Sequence, residues 1–152
     1  MRRLRRSPRH SSRGQALVEF SLVLLPFLVI LMGITDLGRG VYMNNAVAEA
    51  AREIARTTSV HPCNPGSCTL GSSVETLSTI EAQKNLVPGL TGPGAAITIQ
   101  CTTITDAPLS NAACRSGSFV RVTVSVPFRV VTPLLSMVAP ATLTSSSHIQ
   151  LP

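Results

Sequence analysis

The side chains that could carry chemistry in this sequence are three histidines, four cysteines and a glutamate at the edge of an apolar run. The histidines His10, His61 and His148 are widely scattered, and the sequence has no pair of metal ligands at helical spacing. It also has no glycine-rich phosphate loop and no nucleophile motif. We therefore expect no catalytic residues, no metal site and no cofactor, and a protein that is not an enzyme.

The four cysteines are candidates for disulfide bonds, and they are Cys63, Cys68, Cys101 and Cys114. An even number of cysteines fits an oxidising compartment. Cys63 and Cys68 enclose the turn sequence "NPGS", so a local bridge is sterically reasonable. Cys101 and Cys114 flank a loop between strand-like segments and would then form the second bridge. Four cysteines allow three pairings, and the sequence alone does not choose among them. Zinc binding is the competing interpretation, but neither spacing is that of a CxxC knuckle.

The net charge of +6 is concentrated in a short N-terminal arm. Six of the thirteen basic residues precede Gly14, where no acid occurs: Arg2, Arg3, Arg5, Arg6, Arg9 and Arg13. From Gln15 onward, the remaining seven basic residues balance the seven acids. A nucleic-acid interface would spread basic residues over a folded face and interleave aromatic ones, so we expect no nucleic-acid partner. A basic arm before an apolar run instead indicates the cytoplasmic flank of a membrane segment.

The apolar run extends from Phe20 to Thr35 without a charge, between Glu19 and Asp36. Counted from Ala16, it reaches the ~20 residues that cross a bilayer. Small residues that could mark a signal-peptidase site, at 46–50, lie too far beyond the run for that cleavage geometry. The sequence predicts one retained membrane helix, with the N-terminus cytoplasmic and the C-terminal part extracytoplasmic.

The helix is predicted to continue past the membrane, because no proline occurs from Asp36 to Thr57. Apolar residues recur at helical spacing and predict a docking stripe: Leu37, Val41, Ala48, Ala51 and Ala55. The opposite side carries the charged residues Asp36, Arg39, Glu49, Glu53 and Arg56. The three-residue spacing of Asp36 and Arg39, and of Glu53 and Arg56, favours ion pairs.

The rest of the chain predicts a small outer domain. A capping box from Ser72 to Glu75 opens a second helix that ends near 87–89. Alternating residues predict strands at 95–101, 119–128 and 143–151. The predicted fold is α+β, with a long N-terminal transmembrane helix that continues into an amphipathic helix packed against a small antiparallel β-sheet. The expected segments are a basic cytoplasmic leader (1–14), a transmembrane helix (15–35), its extracytoplasmic continuation (36–58) and an extracytoplasmic α+β domain with disulfides (59–152).

The start of the helix resembles a type IV prepilin N-terminus: a basic arm, Gly14, then Gln15-Ala-Leu-Val-Glu19-Phe20 and an apolar run. More closely, residues 13–56 resemble the TadE-like family of pseudopilins in the Tad/Flp tight-adherence branch of type IV pilus systems. The likeness includes a proline in the middle of the run, "DLGR" and the alanine-rich "AREIAR" end. One departure is that Pro26 falls a residue later than the family's usual proline, which affects the helix register and not the processing motif.

The resemblance implies a pilin-like fold and cleavage by a prepilin peptidase between Gly14 and Gln15. It implies a pseudopilin or minor pilin that acts in assembling Flp-type adhesive pili, with other pilins, the inner-membrane pilus platform and the lipid bilayer as partners. Glu19, followed by Phe20, would pair with the new amino terminus of a neighbouring subunit. The alternative hypothesis is an unprocessed single-pass envelope protein whose outer domain binds a partner.

Overall fold

The longest element of the described structure is a single helix, α1 (Arg13–Val60). The computed structural model describes residues 13–63, 69–110, 114–132 and 142–152. The 48 residues of α1 span about 72 Å at ~1.5 Å per residue. The helix continues through Pro26, and its apolar part is long enough to cross a membrane. The long N-terminal helix predicted from the sequence is confirmed, and it ends three residues beyond the expected Thr57.

The outer domain contains a four-stranded antiparallel sheet. Its strands are β1 (Ala96–Thr102), β2 (Pro108–Leu109), β3 (Phe119–Pro127) and β4 (Thr142–Gln150), in the spatial order β2-β1-β3-β4. The three long strands lie within one residue of the predicted segments. The two-residue strand β2 was not predicted, because so short a segment has no periodicity to detect.

The core lies between α1 and the sheet. Every second residue of β3 is fully buried, as its alternation predicts: Val120, Val122, Val124 and Val126. The helix contributes mostly small side chains to the same core, namely Val47, Ala50, Ala51, Ile54 and Ala55. In the strand register, Ser145 and Ser147 of β4 lie opposite Val124 and Val122, and therefore on the face that meets the helix. Small residues on both surfaces let the helix backbone approach the sheet closely.

The predicted docking stripe is correct at its C-terminal half and wrong at its N-terminal half. Ala51 and Ala55 are buried, but Leu37 is 69% exposed and Val41 is 54% exposed. Asp36, predicted to lie on the charged outer side, is only 3% exposed. The physical reason is that Asp36 accepts hydrogen bonds from Val131 and Thr132, which turn this side of α1 toward the outer domain.

The second helix, α2 (Val74–Leu86), has its N-cap one residue later than predicted. The N-cap is Ser73, whose Oγ accepts a hydrogen bond from the backbone N–H of Thr76 at 3.1 Å. The predicted box from Ser72 to Glu75 is therefore wrong in register. Thr76 is buried, and its hydroxyl donates to the carbonyl oxygen of His61 at 3.1 Å. This bond ties α2 to the turn that follows α1.

Candidate functional site

The predicted processing site lies in the first turn of α1. Gly14 is exposed, and a Cβ placed on it would have no atom within 4 Å among the described residues. Packing within this part of the chain therefore does not require a glycine at position 14. Arg13 is the first described residue, so the other five arginines of the basic arm lie outside the described residues.

Glu19 and Phe20 lie on the exposed surface of α1. Gln15 and Glu19 are four residues apart, so they occupy the same face of the helix, about 6 Å apart along its axis. Glu19 forms no ion pair within the described residues. The carboxylate is therefore available to a charge supplied from outside this part of the chain.

The helix around Glu19 presents an uncovered apolar surface. None of its most apolar window is buried within the described structure. Exposed side chains follow one another around the whole circumference, and include Leu17, Phe20, Leu22, Phe27 and Ile30. An apolar surface of this extent requires lipid or other apolar helices to cover it, so this part of α1 fits a membrane anchor.

The comparison with known families separates this helix from an ordinary hydrophobic anchor. Residues 14–56 match the family described as TadE-like protein. This segment of α1 is thus similar to TadE-like proteins, as its sequence predicts. The match begins at Gly14 and ends at Arg56, within α1. The match covers less than a third of the chain, and it supports a Tad pilus-associated protein. No curated protein and no solved structure matches the chain.

Asp36 connects the TadE-like segment to the outer domain. Its Oδ2 accepts hydrogen bonds from the backbone N–H groups of Val131, at 2.9 Å, and Thr132, at 2.7 Å. The Thr132 bond is the main cause that lowers the pKa of Asp36, with help from Val131 and from the charge of Arg39, while burial opposes the shift. A carboxylate at the end of the apolar run thus fixes the segment that follows β3. Sequence reasoning missed this contact, and its only local signal was the isolated acid in "DLGR".

Arg39 lies beside this contact. Its Nη1 is 3.4 Å from Asp36 Oδ1, and the guanidinium carbon is 5.9 Å from the centre of the Phe128 ring. The Asp36–Arg39 pair predicted from spacing is confirmed, as is Glu53–Arg56. Phe128 also contacts the helix at Gly40, where a Cβ would lie 3.5 Å from the ring. The end of β3 is therefore held against one turn of α1 by apolar, cation–π and hydrogen-bonding contacts.

The three cysteines that the structure describes are disulfide-bonded. Cys101 and Cys114 form a disulfide with a Cα–Cα distance of 5.7 Å, which joins β1 to the chain before β3. Cys63 is also disulfide-bonded. Cys68 lies outside the described residues, so the Cys63–Cys68 bridge stays a prediction. Because three of the four sulfurs are in disulfides, the competing zinc interpretation is wrong for them.

A polar cluster that the sequence did not predict lies on the outer face of the sheet. Arg121 Nε donates to His148 Nε2 at 3.1 Å, and the Arg121 guanidinium also pairs with Asp106. His148 Nδ1 lies 3.0 Å from the other carboxylate oxygen of Asp106. Asp106 itself has a positive φ of 68°, in the loop between β1 and β2. The cluster satisfies its own charges and holds that loop on the sheet.

Proposed function

We propose that this protein is a pseudopilin or minor pilin that acts in the assembly of Flp-type adhesive pili. In this proposal a prepilin peptidase cleaves it between Gly14 and Gln15. The observation that carries the proposal is the match to the TadE-like family, which begins at Gly14. The exposed position of Gly14 and the placement of Glu19 one helical turn beyond Gln15 support it.

Cleavage at Gly14 is compatible with the structure of the helix start. The first four N–H groups of an α-helix have no partner within the helix, so its first turn opens at low cost. Gly14 carries no side chain to obstruct a protease and has open space around it. Cleavage would remove six arginine charges that oppose extraction of the helix from the membrane.

Glu19 would act after cleavage. The new α-amino group of Gln15 is a cation, and Glu19 is an anion without an ion-pair partner in the described chain. When apolar helices of several subunits pack together, each charge becomes costly unless it meets its opposite. Pairing Glu19 of one subunit with the amino terminus of another would offset this cost and set the axial register of the two helices. Phe20 would add apolar contact beside that pair.

The outer domain supports the same role through its position. The sheet packs on the C-terminal half of α1 and leaves the apolar half uncovered. In the proposed role the chain would comprise a cytoplasmic leader at 1–14, a membrane segment at 15–35, its continuation at 36–58 and an extracytoplasmic domain at 59–152. The uncovered half would lie in the inner membrane before assembly and pack against the helices of other pilins and the platform during it.

The cleavage step is tested by a pair of glycine substitutions in the full-length protein, co-expressed with the prepilin peptidase of its own pilus system. Gly14→Leu should abolish cleavage, because a bulky side chain then precedes the scissile bond. Gly38→Leu is the matched control, since Gly38 lies on the same helix and also has no atom within 4 Å of its Cβ position. Intact-mass measurement should show a processed control and an unprocessed Gly14 variant. Cleavage that persists in the Gly14 variant would count against the proposal and favour the unprocessed envelope protein.

A further inference from the structure

An exposed apolar stripe runs along α1 on a side that the outer domain does not cover. Its members alternate at intervals of four and three residues, and each side chain is more than half exposed: Val23, Phe27, Ile30, Ile34, Leu37 and Val41. This alternation is the heptad spacing of a coiled-coil seam. We call these residues the heptad stripe.

The outer end of the heptad stripe distinguishes it from the rest of the apolar helix. Within the membrane segment α1 is apolar all round, so lipid can cover any side of it. Val41 follows Thr35 by six residues, or about 9 Å at ~1.5 Å per residue, and so lies outside the hydrocarbon core. The ion pair of Asp36 and Arg39 lies at the same level. Lipid tails therefore do not cover Leu37 and Val41, and their exposure is typical of a contact with another protein.

The outer domain leaves room for a partner helix on this side. Val47 and Ile54 are buried against the domain, and at ~100° per residue they lie about 130° around α1 from the heptad stripe. Gly38 follows Leu37, and a Cβ placed on it would have no atom within 4 Å among the described residues. A glycine beside the seam lets another helix backbone approach closely.

A second copy of the same helix fits the heptad stripe. Helices of identical chains in one membrane point the same way, so they meet in parallel. Ile34 and Val41 occupy the a positions of the heptad and Leu37 the d position between them, a combination that favours two parallel strands. The next seam position is Asn44, which is polar and exposed. In register it would meet Asn44 of the second copy, and the two amides can hydrogen-bond each other.

We propose that α1 forms a parallel two-helix coiled coil with α1 of a second copy through the heptad stripe, with Asn44 fixing the register at its outer end. The inference rests on the membrane orientation of α1 in the proposed function, and not on cleavage at Gly14. Such a pair would deliver two subunits to the assembly machinery together, with both outer domains on the outside of the helix pair.

Cysteine cross-linking in membranes tests the contact. The full-length protein is expressed without the prepilin peptidase and without other pilins, so the result does not depend on processing at Gly14. Val41→Cys should form a disulfide between two copies under mild oxidation, because a positions face each other across a parallel seam. Tyr42→Cys is the matched control, since Tyr42 is similarly exposed but lies about 100° around the helix from Val41.

Non-reducing electrophoresis should show at least about fivefold more dimer for Val41→Cys than for Tyr42→Cys, as the heptad geometry requires. Equal dimer in the two variants, or no dimer in Val41→Cys, would overturn the proposal. The measurement is then repeated with the other pilins present. Cross-linking of Val41→Cys to a chain of different mass, in place of the dimer, would also overturn it and would assign the heptad stripe to another pilin.

A second pair of variants tests the heptad stripe without adding a thiol. Leu37→Glu should weaken dimerisation about tenfold or more, because like charges would face each other in the seam. Tyr42→Glu adds the same charge off the seam and should change the dissociation constant by less than about twofold. Both positions are exposed in the single subunit, so circular dichroism should show that both variants fold. Analytical ultracentrifugation in detergent measures the dissociation constants, and equal effects of the two substitutions, or a wild type that stays monomeric, would contradict the coiled coil.

Discussion

Two acids bound the apolar run, and they differ in how their charge is satisfied. Asp36, at the outer end, receives two backbone hydrogen bonds from its own chain and is almost fully buried. Glu19, at the inner end, is exposed and has no ion-pair partner in the described part of the chain. A satisfied acid fixes structure within the subunit, whereas an available one can select a partner. Asp36 therefore orients the domain, and the exposed Glu19 is consistent with the proposed contact between subunits.

The contribution of Asp36 to stability should depend on pH in the acid range. Its folded-state pKa lies below the ordinary value of 3.8, so its contribution is complete above that value and is lost as the pH falls through the folded pKa. Asp36→Asn should lower the thermal unfolding midpoint by several degrees near neutral pH. The variant's midpoint should also fall less than that of the wild type as the pH decreases below about 3.8. Thermal unfolding followed by circular dichroism in detergent measures both effects.

Glu49→Gln is the control for this measurement, because Glu49 is an exposed acid on the same helix whose ion pair is also exposed. It should leave the midpoint and its pH dependence almost unchanged. If Asp36→Asn behaved like this control, the hydrogen bonds to Val131 and Thr132 would not orient the domain.

At the scale of elements, the sequence predicts what local periodicity encodes. The alternation of β3 predicts its buried valines, and the long proline-free segment predicts the continuous helix. The prediction that the face of α1 around Leu37 is buried is wrong. Alanines and glycines are spread around the helix there and give no sharp apolar direction. This face is set by the hydrogen bonds from Val131 and Thr132 to Asp36. The sequence separations are 95 and 96 residues, so no local pattern reports the contact.

The close packing of α1 on the sheet predicts a strong effect of side-chain size. Ala51 is fully buried against the sheet, so Ala51→Leu should overpack the core and destabilise the folded domain by about 1 to 3 kcal/mol. Arg52→Leu, at the adjacent exposed position, should change the free energy of unfolding by less than about 0.5 kcal/mol. Denaturant unfolding of the full chain in detergent compares the two. Equal effects would mean that the helix and the sheet do not pack closely at Ala51.

At the scale of the whole molecule, the two halves of α1 differ in whether the rest of the chain covers them. The C-terminal half of α1 is covered by its own domain, and the apolar half is left to lipid or to other helices. The family match covers residues 14–56, which include this apolar half and end where the domain is docked. The similarity to TadE-like proteins therefore lies within α1, the element that carries the uncovered apolar surface.

The measurement that tests the account most directly is the N-terminal sequence of the wild-type protein, purified from membranes with the prepilin peptidase present and with it absent. With the peptidase, mass spectrometry should identify a chain that begins at Gln15. Without it, the chain should retain residues 1–14. Recovery of residues 1–14 in the membrane protein when the peptidase is active would contradict processing after Gly14, and with it the assignment of this protein as a pseudopilin.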